Sequence, residues 1–256
     1  ITGAMTDTRN CGIALNGLGT TPTTFPTSVA NISDYNTIDS NTITGGYYAI
    51  VSIGWSNSTG SQAESNIITN NICTGMYQYG CYMYYQHGLK FNGNTLTMSP
   101  SAVISNYGLF AYYWDGFEFK RNKINNAGTY GVYFLSPGQA GGFNGSDSFE
   151  ISNNMIGGNF LSNGTIYGMY ITNTTFLYRA RIMNNTISIT PPVSNVSQLF
   201  GIYFPTGYNT NGYWDNNIFK NNSVSLFGAA SSSFPVYIPF SGGLTPTLPF
   251  SIGGVS

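Results

Sequence analysis

Two short stretches, Asp115-Gly-Phe-Glu-Phe119 and Asp147-Ser-Phe-Glu-Ile151, repeat the same spacing of carboxylates. Laid one over the other, they set Asp115 over Asp147 and Glu118 over Glu150. Four carboxylates in one small patch have two chemical uses. Oxygen ligands of this kind hold a divalent cation such as Ca2+. Neighbouring carboxylates also push their pKa values apart, which is what glycoside cleavage asks of its acid and base. A plainer use exists too. Asp ahead of a strand closes an Asx turn, and Lys90 and Arg181, which fall in the same repeat position as Glu118 and Glu150, form surface ion pairs of small worth. The plainer use is the expected one. No catalytic group and no metal is therefore assigned; Asp115, Glu118, Asp147 and Glu150 are the alternative for both, with Ca2+ as the only cofactor considered.

A second group could bind rather than react. Gly followed by apolar, aromatic, apolar occurs as Gly131-Val-Tyr-Phe134, Gly168-Met-Tyr-Ile171 and Gly201-Ile-Tyr-Phe204, with looser copies at Gly80, Gly108 and Pro235. Alternation with period two marks a strand with one buried face. The apolar neighbours point inward, so Tyr82, Phe110, Tyr133, Tyr170, Tyr203 and Tyr237 point outward as a ladder. Exposed aromatic rows mark contact surfaces, and the expected partner is a glycan or a neighbouring subunit or domain. The plain alternative is cross-strand stacking that only reinforces the sheet.

Both groups need an element that repeats in space. The sequence supplies one. The pattern Φ-x-x-N-x-Φ, with Φ apolar, recurs with its Asn at 41, 71, 94, 122, 154, 185 and 217, a mean interval of about 29 residues, in the range of solenoids and arrays. Each repeat holds at least two short alternating runs, broken so often by Gly, Pro, Asn and Ser that helices have little room. A parallel solenoid pairs each strand with the coils above and below at ~4.8 Å. The Asn then sits at the corner between two strands, where it tolerates unusual backbone angles, and stacked Asn amides bond one another as a ladder. In Phe117-Glu-Phe-Lys-Arg-Asn-Lys-Ile124, Phe117, Phe119 and Ile124 face inward and Asn122 turns the corner.

Composition agrees. The chain has 256 residues, of which 7% are charged and 41% hydrophobic, with a net charge of −1. That balance excludes the basic patch of a nucleic-acid binder. No apolar run is long enough to span a membrane. Cys11, Cys73 and Cys81 are too few for a disulfide scaffold. Cys73 and Cys81 fall at inward positions as small hydrophobes, and a bridge between them is the alternative in an oxidising setting. Residues 1–34 read as a degenerate coil and a Thr/Pro loop, 35–240 as the solenoid, and 241–256 as a cap, linker or tail. The pattern is already under way where the sequence starts, so a mature or excised segment is expected, part of a longer polypeptide or stacking end to end.

These repeats resemble the right-handed parallel β-helix (pectin-lyase-like) superfamily. The runs "FNGN" and "FKRN" are similar in style to bacterial surface and adhesin passenger repeats. The resemblance covers about residues 35–240. It implies an all-β, single-stranded right-handed parallel β-helix of seven to eight coils. The polygalacturonase-like enzymes of that superfamily carry N-T-D, D-D, G-H-G and R-I-K motifs. Here no Asp-Asp pair exists, His87 lacks the first Gly of its motif, and Arg179 and Arg181 only echo the last. The expected function is thus an extracellular, structural or adhesive β-helix of a cell-surface or filament protein, more a non-enzyme than an enzyme. The alternative is a carbohydrate-active enzyme or tailspike-like depolymerase on the same fold.

Overall fold

The computed structural model describes residues 6–16, 21–58, 60–138, 148–172, 176–192, 196–205, 213–215, 217–228 and 230–238. Among them there is no α-helix, and every strand pairing is parallel. Three long sheets run the length of the molecule. Sheet A starts with Cys11–Leu15 and ends with Ala230–Tyr237. Sheet B runs from Thr37–Asp39 to Ile218–Lys220, and sheet C from Thr42–Thr44 to Ser223–Leu226. The chain visits A, B and C in turn, so each coil adds one strand to each sheet. The expected parallel β-helix is what the chain forms. The stretch 1–34 contributes its first sheet A strand, Cys11–Leu15, which pairs with Tyr48–Ile53. The expected tail, 241–256, lies outside the described residues.

Register turns the sequence repeat into columns. Along sheet B, Ile38, Ile68, Phe91, Phe119, Ile151, Ile182 and Phe219 stack in line. Along sheet C the line is Ile43, Cys73, Leu96, Ile124, Ile156, Ile187 and Val224. Both lines face the interior, where a single core cluster runs through the coils. Burying each such side chain contributes about 1.5–3 kcal/mol relative to exposure.

The Asn ladder closes the corner between sheets B and C. Asn94 donates its backbone N–H (2.9 Å) and its Nδ2–H (3.3 Å) to Oδ1 of Asn122. Asn122 donates in the same way to Asn154 at 2.9 and 3.1 Å. The same double bond links Asn41 to Asn71, Asn71 to Asn94 and Asn154 to Asn185. Each Nδ2 from Asn71 onward also reaches a main-chain carbonyl on the sheet B strand one coil back, such as Phe91 O from Asn122 at 2.9 Å.

Two details correct the sequence reading. The left-handed residue is not the ladder Asn but the one before it: Ser40, Asn70, Gly93, Arg121, Asn153, Asn184 and Asn221 all have positive φ. The turn is made by an outward residue, leaving the Asn free to aim its amide inward. The last member of the ladder is Asn222, not Asn217. Asn185 donates to Oδ1 of Asn222 at 3.1 and 2.9 Å. Asn217 instead accepts from the Ala180 N–H at 2.9 Å. It shares its place, just before a sheet B strand, with Asn36 and Asn66, which bond each other across coils. Phe219-Lys-Asn-Asn222-Ser-Val224 also fits Φ-x-x-N-x-Φ, and the pairing of Ile182 with Phe219 selects it.

Candidate functional site

Sheet A carries the aromatic ladder on its outer face. Tyr82, Phe110, Tyr133, Tyr170, Tyr203 and Tyr237 are in direct register from coil to coil. A second column, absent from the sequence reading, runs beside it: Tyr48, Tyr79, Tyr107, Tyr130, Tyr167, Phe200 and Phe234. Its signature was readable as aromatic-Gly-x-aromatic, from Tyr79-Gly-Cys-Tyr82 to Phe200-Gly-Ile-Tyr203. Period-two alternation hid it, because residues three apart belong on opposite faces. Gly breaks the alternation. Gly108 and Leu109 are both buried, so Tyr107 and Phe110 both turn outward. A Cβ on Gly108 would collide with the Ile124 side chain and lie 2.5 Å from the Gly131 carbonyl oxygen.

The two columns interlock as a herringbone. Rings repeating at the ~4.8 Å coil rise reach contact at about 3.5–4.0 Å only when their planes tilt by about 35–45° from the perpendicular to the axis. Neighbours within a column then stay parallel, and columns tilted in opposite senses cross at about 70–90°. Tyr107 and Tyr130 stack at 4.8 Å and 8°, and Tyr133 and Tyr170 at 4.8 Å and 10°. Between columns, Tyr107 meets Phe110 at 88°, Tyr130 meets Tyr133 at 78° and Tyr167 meets Tyr170 at 84°. The rings of the first column therefore point outward as expected but are half-buried by their neighbours, and in the second column Tyr48 and Phe200 are buried outright. Their faces are spent on the stack, and edges and hydroxyls form the outer surface. Burial raises the phenols of Tyr48, Tyr133 and Tyr167 to about 12, with nearby tyrosines adding to the effect.

A different chemistry gathers at the C-terminal ends of the third and fourth sheet A strands. Tyr84-Tyr-Gln-His-Gly88 and Tyr112-Tyr-Trp-Asp-Gly116 extend their strands beyond those of other coils. Tyr85 and Tyr113 hold φ of 54° and 52° and stack at 5.7 Å. Bulky residues rarely adopt such angles, and this strain collects at special sites. Phe25, from the Thr/Pro loop, packs edge-on against Tyr84 at 5.2 Å. Glu64, His87 and Asp115 stand in register in successive coils. Asp115 is only 4% exposed, and its Oδ1 has no hydrogen-bond partner. Its Oδ2 lies 3.6 Å from Nδ1 of His87.

Of the four carboxylates drawn together from the sequence, the three described ones divide between two sheets. Asp147 lies outside the described residues. Asp115 ends a sheet A strand and Glu118 starts a sheet B strand, with Gly116 at φ 56° turning the corner between them. Glu118 does lie over Glu150, with Lys90 and Arg181 flanking in register. Between the two glutamates, however, sits the Lys120 ammonium, 3.5 Å from Glu118 and 3.0 Å from Glu150. Asn92 donates to Glu118 at 3.0 Å and Ser152 to Glu150 at 2.6 Å. The charge and the lone pairs a Ca2+ would use are thus engaged by the protein's own groups. Burial raises the Glu150 carboxyl, but Ser152, Lys120 and Arg181 more than offset it and hold the group below its usual value.

The sequence model of a family described as periplasmic copper-binding protein (NosD) matches residues 5–139, more than half of the chain. The chain belongs to the NosD family. That family has the right-handed parallel β-helix fold, as this member does. Its periplasmic description puts the family on the outer side of the cytoplasmic membrane, which is coarser than the secreted, cell-surface location expected from sequence. Among the described residues no helix is long and apolar enough to cross a membrane. No curated protein and no solved structure matches this NosD family member.

The copper in the family description can be tested against the donors present. Cu(I) favours thiolates and thioethers. Cys73 and Cys81 are unpaired, wholly buried in the core and kept protonated by that burial; the Cys73 thiol is raised to about 12 and Cys81 is raised well above its usual value. Cys11 is partly buried at the head of the second ring column, its thiol likewise raised to about 12 by burial. The sulfur set does not fit. Among the described residues no three His, Cys, Asp or Glu side chains converge on one point. The donors among the described residues therefore do not make a copper site.

Proposed function

We propose that this chain is an extracytoplasmic structural β-helix that docks through the tyrosine face of sheet A. The observation that carries this reading is the pair of ring columns, in register over six coils, with no charged residue in either. Tyr supplies large rigid contact area with a polar handle, which is why it concentrates at interfaces. Because the ring faces are occupied within the stack, edges and hydroxyls meet the partner. That geometry favours the flat surface of a neighbouring subunit or domain over a sugar stacked on a ring face; a glycan is the second reading. An adhesive or filament role follows from either. The test is hydroxyl-radical footprinting of Tyr133, Tyr170 and Tyr203, in the envelope of cells that make the protein and in the isolated chain. Protection in the envelope, lost on isolation, is the expected result. Equal oxidation in both settings would leave the columns as sheet reinforcement alone. Adding neutral polysaccharides to the isolated chain separates the readings, since only the second expects them to restore protection.

A further inference from the structure

We infer that Tyr203 is a site of oxidative cross-linking, at which hydrogen peroxide, used through a haem peroxidase, joins its ring to Tyr167 or Tyr170 of the preceding coil as a dityrosine. The reaction needs no docked partner, so it stands apart from the docking reading. Three observations meet there. The first is continuity. Tyr48, Tyr79, Tyr107, Tyr130 and Tyr167 stack coil on coil, with ring centres 5.3, 5.2, 4.8 and 5.1 Å apart. Rings in contact exchange an electron easily, so a phenoxyl radical formed at one is shared along the column. The next ring of that column is Phe200, which has no hydroxyl to give up. In that coil a radical at Tyr167 meets a phenol at Tyr203, 5.1 Å away.

The second is orientation. Diagonal neighbours in earlier coils cross nearly at right angles, Tyr107 with Tyr133 at 86° and Tyr130 with Tyr170 at 83°. Within the first column Tyr133 and Tyr170 lie almost parallel, at 10°. Tyr203 departs from both patterns. It meets Tyr167 at 46°, and Tyr170 at 37° and 5.2 Å. Two rings joined edge to edge by one bond stand tilted in this way, because coplanar ones clash, and their centres lie nearly this close. The third is access. Tyr167, Tyr170 and Tyr203 are half-buried on the outer face, and side chains with an open edge change rotamer quickly enough to bring two ring edges together. The chemistry balances. Each of two phenols gives up one electron and one proton, and hydrogen peroxide takes them up and leaves as two waters. The two radicals form a carbon–carbon bond between positions ortho to their oxygens. The two ring hydrogens displaced there return to the oxygens and restore the phenols. One coil is then tied covalently to the next.

The test treats the dilute full chain with a haem peroxidase and hydrogen peroxide, reads the blue fluorescence of dityrosine, and maps the linked peptides by mass spectrometry. A monomeric product with Tyr203 bonded to Tyr167 or Tyr170 is expected. Tyr203→Phe keeps the ring and removes the phenol, and should lower the fluorescence by half or more. Tyr35→Phe should leave it unchanged, although Tyr35 is 75% exposed and the more open to reagent. Circular dichroism confirms folding; should Tyr203→Phe fail to fold, Tyr167→Phe combined with Tyr170→Phe carries the same test. The assignment is overturned by undiminished fluorescence in these variants, by links confined to Tyr35 or formed between copies, by links spread evenly over the stacked pairs, or by no dityrosine at all.

Discussion

Replacing Asn122 by Ala isolates what the ladder contributes. Asn122 is 1% exposed and in the middle of the stack. The change strips the Asn94 N–H of its acceptor and the Phe91 carbonyl of the Asn122 amide. Two neighbours are spared, because Asn94 Nδ2 keeps Ile68 O at 2.8 Å and Asn154 Oδ1 keeps the residue 122 N–H at 2.9 Å. The Asn94 N–H, buried and left without a partner, costs about 1–3 kcal/mol, and the Phe91 carbonyl, which stays in the sheet B ladder, adds less. Asn41→Ala removes only the Nδ2 donations to Asn71 Oδ1 and Asp39 O at an exposed end of the ladder, where water substitutes, and should cost less than about 1 kcal/mol. Urea midpoints rank the two variants. Solenoids do not always unfold in one step, so amide hydrogen exchange at Asn94 gives the local reading, with protection lost in Asn122→Ala and kept in Asn41→Ala. If the two variants are equally stable, or Asn94 stays protected in both, the ladder is decoration and the argument fails.

Gly108→Ala should destabilise by several kcal/mol, because the added methyl meets Ile124 and the Gly131 backbone, while Gly164→Ala, whose nearest neighbour is Ser162 Oγ at 3.6 Å, should be close to neutral in thermal melts. The phenols of Tyr133 and Tyr167 are raised to about 12 from 10, so they add stability that is complete below pH 10 and is lost as pH rises through about 12; ultraviolet titration and circular dichroism should change together in that window. Glu150 is held below its usual value, so its contribution is present above the unfolded carboxylate range and lost as pH falls through the folded value; Lys120→Met should flatten that acid limb in pH-dependent melts. Cys73 and Cys81 should resist thiol reagents until the chain is unfolded, and rapid labelling of the folded protein would contradict their burial.

The coil was legible because one residue type solves one problem at one corner. Each Φ-x-x-N-x-Φ names an inward strand residue, the inward amide and the next inward strand residue. Where two overlapping copies exist, at Asn217 and Asn222, spacing alone cannot choose, and only pairing across coils does. The first ring column was readable from alternation. The second was not, because Gly108 and its equivalents make two consecutive residues face inward. The acids misled for a related reason. They were drawn as one patch on a flat repeat, whereas the turn at Gly116 sends Asp115 toward His87 and leaves Glu118 with Lys120. The repeat does place His87 one coil before Asp115, as the pairing has it; what spacing does not tell is how near the two side chains come.

The ladder also says how the molecule should behave as a tether. Its bonds join residues 30, 23, 28, 32, 31 and 37 positions apart. Pulled from its two ends, such a chain peels from an end, each coil held until its own amide and strand bonds give way. Every rupture would pay out roughly 80–125 Å of slack, at about 3.4 Å per released residue. A single extended molecule would then absorb work in a short series of unequal steps, with the lengths of those steps written in the intervals between its asparagines.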